Sequence, residues 1–169
     1  MHPDHAPGLQ GPAILHWLQD GAIGRAMRES LWLFPAVEIV HILGFALLIG
    51  TILALDLRIL GWRMAALPVD RLAALTLPLS IAGFTLALPS GLMLLTTEAV
   101  HMGQNPAFLV KMGLIGLAGL NALLLHRGAW RSVAHWPADA PPPPARMAAF
   151  ASLALWLCVL IAGRLIAYL

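Results

Sequence analysis

The chain has 169 residues, of which 60% are hydrophobic and only 11% charged, with a net charge of +2. A soluble domain carries about 25% charged residues and is less than half apolar, so this composition and a mean hydropathy of +0.82 exclude a soluble globular protein and indicate one integral membrane domain spanning residues 1–169. The scattered basic residues exclude the basic stripe of a nucleic-acid binder, and the single cysteine, Cys158, excludes an internal disulfide or a cysteine metal cluster.

Residues 1–10, with Pro3, Pro7 and Gly8, read as an irregular tail without the basic and apolar regions of a cleaved signal peptide. The first span is then expected to serve as the insertion signal. From Pro12 to Arg28, Ile14, Leu15, Trp17, Leu18, Ile23 and Met27 alternate with Gln19, Asp20, Arg25 and Arg28, interrupted by Gly21 and Gly24. This pattern is too polar to span and predicts an amphipathic interfacial segment over 12–28, with Trp17 at headgroup level.

Four stretches meet the roughly 20 apolar residues that a crossing requires, at about 31–55, 72–97, 107–126 and 147–168. The expected fold is an all-α integral membrane four-helix bundle with an N-terminal amphipathic helix. The second span carries Pro78 and Pro89-Ser90-Gly91, and proline within a helix removes a backbone hydrogen bond. Glu98 through Pro106 reads as a loop. The linker 127–146 holds Trp130, Trp136 and Pro141–Pro144, a run that predicts extended polyproline geometry. Trp130, Trp136 and Tyr168 read as interfacial anchors. Lysine and arginine in short loops set orientation. Arg58, Arg63, Arg71, Arg127, Arg131 and Arg146 flank one side, against Arg25, Arg28, Lys111 and Arg164 on the other. That balance predicts both termini on the outer side, which in a bacterium is the periplasm.

The first span contains Glu38 and His41, three residues apart and so on one helix face. Ionisable groups at membrane depth mark sites facing a bundle interior, a cavity or a cofactor. At about 1.5 Å per residue, His41 lies roughly 12 Å inside Leu33. The same depth on the other spans holds Pro89, Ser90 and Gly91, then Lys111, Gly113 and Gly116, then Cys158. Small residues at one level serve either close helix packing or space for a flat ligand. A neutral imidazole can ligate haem iron, with Glu38 as acceptor for its second nitrogen. His101 and His16 are the candidate second ligands. His126 is about 20 Å deeper than Lys111 and cannot share an iron with His41. Arg25, Arg28, Lys111 and Arg164 are placed to meet haem propionates. The same residues also admit plainer roles, with Glu38 and His41 hydrogen-bonded inside the bundle and Lys111 and Arg164 snorkelling to the interface.

The run from Trp32 through Pro35, Glu38, His41 and Gly44 to Gly50, with Asp56-Leu-Arg-Ile-Leu-Gly61, Asn105-Pro-Ala-Phe-Leu-Val-Lys-Met-Gly-Leu and Leu120-Asn-Ala, resembles an uncharacterised family of small bacterial inner-membrane proteins. More distantly, the layout is similar to CopD and HemJ-type membrane proteins, which pair an early-span histidine with a lysine opening a later span. His41 and Lys111 occupy those two positions, while the Leu-Pro-Arg motif expected soon after the histidine is absent. HemJ-type proteins are haem-associated and CopD-type proteins are linked to copper uptake. The resulting expectation is a b-type haem protein exchanging electrons with a periplasmic or quinone partner. The sites are His41 as axial ligand, Glu38 as its orienter, His101 as second ligand, and Lys111 or Arg164 at the propionates. A copper path through Met93, His101, Met102 and His41, and an accessory subunit docking another membrane protein or a second copy, are the alternatives.

Overall fold

In the computed structural model, residues 12–62, 67–137 and 141–168 are described; the tail at 1–10 and Arg63 lie outside them. Four helices hold the apolar runs: α3 (Leu33–Ile59), α4 (Val69–Leu95), α6 (Pro106–Arg127) and α7 (Pro143–Leu165). With 22 to 27 residues each, they reach about 33–40 Å, enough to cross a hydrocarbon core of about 30 Å. Large apolar side chains such as Leu43, Leu75, Leu92, Leu124 and Phe150 are exposed, which is the surface a bilayer requires. The chain is a multi-pass membrane protein, and these faces contact lipid.

The bundle consists of two close-packed pairs, α3 with α4 and α6 with α7, joined by a thinner α3–α7 contact. The α3–α4 crossing is set by glycine. A Cβ added at Gly83 would lie 2.6 Å from the Leu48 amide nitrogen, and one at Gly44 would lie 2.8 Å from that of Ala87. The two backbones therefore touch, as small-residue interfaces between membrane helices allow. Thr51 and Ser80 add a hydroxyl–hydroxyl bond of 2.6 Å across the same interface. The helix α4 continues through Pro78 and Pro89, and Ser90 Oγ donates to the Leu86 carbonyl at 2.6 Å beside the second proline.

At the end of the bundle opposite His41, Leu55, Ile59, Val69, Ala73, Ala145 and Ala149 form the tightest core, with Trp130, Val133 and Trp136 packed on it. These two tryptophans pack as part of the protein, with their rings 5.8 Å apart at 84°, rather than standing free as anchors. Arg58, counted above as a charge at the membrane edge, is 1% exposed, and its Nε donates to the Leu67 carbonyl just before α4. Gly61, at φ +90°, reverses the chain after α3 in the left-handed conformation that glycine tolerates.

Three expectations change in detail. The amphipathic segment is two helices, α1 (Ala13–Asp20) and α2 (Ala22–Glu29), separated by Gly21 in an extended conformation. The expected loop at 98–106 contains a short α5 (Ala99–Gln104), and the linker contains a 3-10 helix at Ala129–His135. Pro143 and Pro144 do not extend the linker. They form the first turn of α7, where the missing N–H has no helical partner to lose and φ is already helical.

The α1–α2 hairpin folds over the His41 end of the bundle through one cation. Arg28 Nη1 donates to the carbonyls of Gln19 at 2.8 Å and of Thr96 and Thr97 at 3.3 Å each, meeting the negative end of the α4 dipole. Gln19 Oε1 accepts from the Val100 N–H at 3.0 Å. Arg28→Ala is therefore expected to loosen residues 13–29, at a cost of about 1–2 kcal/mol, while leaving the spans folded. Hydrogen exchange should accelerate in α1 and α2 and stay unchanged in α3 and α4.

Candidate functional site

His41 sits where α3 crosses α4, one turn before the Gly44–Gly83 contact. The close backbone approach carries its imidazole onto α4 itself. Nδ1 lies 2.9 Å from the Ala87 carbonyl oxygen and 3.2 Å from Ser90 Oγ. A carbonyl only accepts, so Nδ1 carries the proton and Nε2 presents a lone pair. Nε2 has no hydrogen-bond partner among the described residues. The ring also lies against Gly91, where an added Cβ would come within 2.8 Å of Cε1. The expected placement of Ser90 and Gly91 opposite His41 is met.

On its other side the imidazole faces an apolar groove lined by Ile42, Phe45, Ala46, Ile49 and Gly50 of α3 and Leu160 of α7. The Phe45 ring stacks near His41 with centroids 6.3 Å apart and planes at 14°. Phe45 in turn meets Trp156 of α7 edge-on at 6.2 Å. Lys111 arrives from α6 and lays its terminal carbons and Nζ against Gly163 of α7, with Nζ 3.6 Å from where a Cβ would be. The site thus unites a fixed imidazole and an apolar groove, with Lys111 packed on Gly163 of α7. It can hold a flat apolar ligand by one ring nitrogen and attract an anionic group of that ligand.

Residues 15–169 match the family model described as a family of unknown function, DUF6644. The chain belongs to that family. No curated protein and no solved structure matches it. In this DUF6644 member the sequence-derived candidates divide sharply. His41 packs on α4 and Lys111 on Gly163 of α7. Glu38 is exposed and does not orient His41, because the Ala87 carbonyl across the helix contact takes the Nδ1 proton. His101 belongs to α5 at the bundle end, 4.0 Å from Glu98 with both side chains exposed, and makes no contact with His41. Arg164 is also exposed, held by Tyr168 through a 2.8 Å bond to the phenol oxygen and with its guanidinium 5.1 Å from the ring centroid. Arg25 and Arg28 are engaged by backbone carbonyls. Cys158 is exposed. Gly113 and Gly116 border open space, so they pack against no neighbouring helix.

Among the described residues no group of three or more His, Cys, Asp or Glu side chains converges as a metal site. Sequence reading missed the Ala87 carbonyl, Phe45 and Trp156. A carbonyl acceptor has no residue-type signal, and Phe45 could have been found as the residue one turn after His41 on the same face. It also missed Asp56, placed at the membrane edge by ending the span at Leu55. The helix continues to Ile59, which brings Asp56 a turn inside.

Proposed function

We propose that this chain is a bacterial inner-membrane protein that binds one b-type haem through His41 and exchanges electrons with a periplasmic or quinone partner. The observation that carries the reading is the Nδ1 hydrogen bond to the Ala87 carbonyl. A metal-ligating histidine typically donates its other ring N–H to such an acceptor, which fixes the ring and the tautomer. Nε2 is left to ligate, in a groove whose lining is otherwise apolar. Bound haem would supply one-electron exchange, its potential set by ligand, burial and nearby charge. The protein's own residues supply the rest. Ala87 and Ser90 hold the imidazole, Phe45 and Leu160 wall off one side, and Lys111 offers a cation to a propionate. The pairing of His41 with Lys111, shared in layout with HemJ-type proteins, supports the same reading. With His101 at the bundle end, His41 is the single protein ligand proposed here. The balance of lysine and arginine between the two sides supports a periplasmic position for the His41 end.

The test is the absorption spectrum of protein purified in detergent from a haem-replete host. A Soret band of a high-spin, five-coordinate haem, with about one haem per chain by pyridine extraction, is expected from one axial ligand. A colourless chain would overturn the haem reading, and a low-spin bis-histidine spectrum would overturn the single-ligand arrangement. Copper bound by a colourless chain after metal loading would instead favour metal handling.

A further inference from the structure

A second cavity lies among all four spans, in the half of the bundle away from His41. Its volume is about 290 Å³, roughly twice the ~150 Å³ that accommodates a benzene-sized molecule in a protein core. Most of its lining is apolar, including Phe84, Trp130 and Trp156. Asp56 also lines it, only 5% exposed, and its Oδ2 makes no hydrogen bond among the described residues.

The polar neighbours do little to relieve this carboxyl. Ser152 of α7 interacts with it. Ser80 donates to the Thr76 carbonyl and pairs with Thr51. Asn121 Nδ2 donates to the Ala148 carbonyl at 2.9 Å. His126 sets its Nδ1 proton on the Ala122 carbonyl at 2.8 Å. No lysine or arginine lines the cavity among the described residues. Arg58 is two positions along α3, a spacing that does not bring side chains together on a helix, and its Nε reaches Leu67. Apart from Ser152, the hydroxyl and amide donors named here are directed away from Asp56, and its Oδ2 is left buried without a donor or a positive charge among the described residues. Aromatic faces beside an acid are the surroundings that recognise ammonium groups.

We propose that this cavity binds a lipophilic organic cation, a one-ring amine or quaternary ammonium. Its charged head meets Asp56 and its apolar body lies against Phe84, Trp130 and Trp156. The site is separate from the His41 groove and does not depend on haem.

The experiment is calorimetric titration of the full-length protein in lipid nanodiscs with benzyltrimethylammonium and with its neutral carbon isostere, 2,2-dimethylpropylbenzene. Saturable binding of the cation is expected, at least tenfold tighter than that of the isostere on the unmodified chain. Asp56→Asn should weaken cation binding at least tenfold and leave the isostere unaffected. Equal binding of cation and isostere, equal binding by Asp56→Asn, or no saturable binding of the cation overturns the proposal. The comparison between the two ligands needs no variant, so it stands even where Asp56→Asn does not fold.

Discussion

Gly83→Leu should disrupt the α3–α4 pair more than any other single change in the spans. Even one methyl at this position would meet backbone atoms, at 2.6 Å from the Leu48 nitrogen and 2.7 Å from the Gly44 oxygen. Backbone cannot rotate away as a side chain can, so the helices must separate or slide. Overpacking of this kind costs about 1–3 kcal/mol, and Gly83→Ala is expected near 2 kcal/mol, with Gly83→Leu beyond the range. Unfolding in mixed micelles should show the graded loss. A wild-type midpoint for Gly83→Leu would mean that the helices do not cross at this contact. Because Ala87 is one turn from Gly83, the same separation should carry its carbonyl away from His41 and lower haem content along with stability.

His41→Ala should abolish haem binding while the spans stay folded, since the imidazole touches α4 at an edge of the interface and contributes little apolar packing. Gly91→Ala separates ligation from fold more finely. Its methyl would meet the ring itself, 2.8 Å from Cε1 and 3.2 Å from Nδ1, and the ring can swing away where a backbone cannot. Haem occupancy should fall several-fold with a change in stability below about 1.5 kcal/mol. Lys111→Met should keep the ligand and the spectrum but weaken affinity about tenfold or more, the worth of a hydrogen bond to a charged group. Haem per chain by pyridine extraction, together with thermal midpoints, reads all three. Full haem occupancy in His41→Ala would remove His41 from the site.

The four spans were legible because crossing a bilayer demands length and apolarity, both of which are properties of local sequence. Depth was legible for the same reason. A constant rise per residue was enough to set Ser90 and Gly91 opposite His41. Rotation about the helix axis was not. Glu38 shares a face with His41 in the heptad sense, yet the interface angle leaves it exposed while the Ala87 carbonyl takes the proton. Cys158 has the right depth and the wrong side. Helix ends were the other weak point. Stopping the first span at Leu55 put Asp56 at the surface and hid the second cavity, and reading four prolines as one rigid linker concealed that Pro143 and Pro144 start α7. The glycines of the third span invited a packing role, but nothing faces Gly113 or Gly116, and that depends on which helices become neighbours.

The hydrogen bond that fixes His41 closes entirely within the α3–α4 pair, whereas the Lys111 ammonium belongs to α6 and rests on α7. The α3–α7 contact, which includes Phe45 against Trp156, and the core around Leu55, Ala73 and Ala149 connect the two pairs. If haem binds as proposed, its grip would rest on the α3–α4 pair, and any charge at its propionates on α6 and α7.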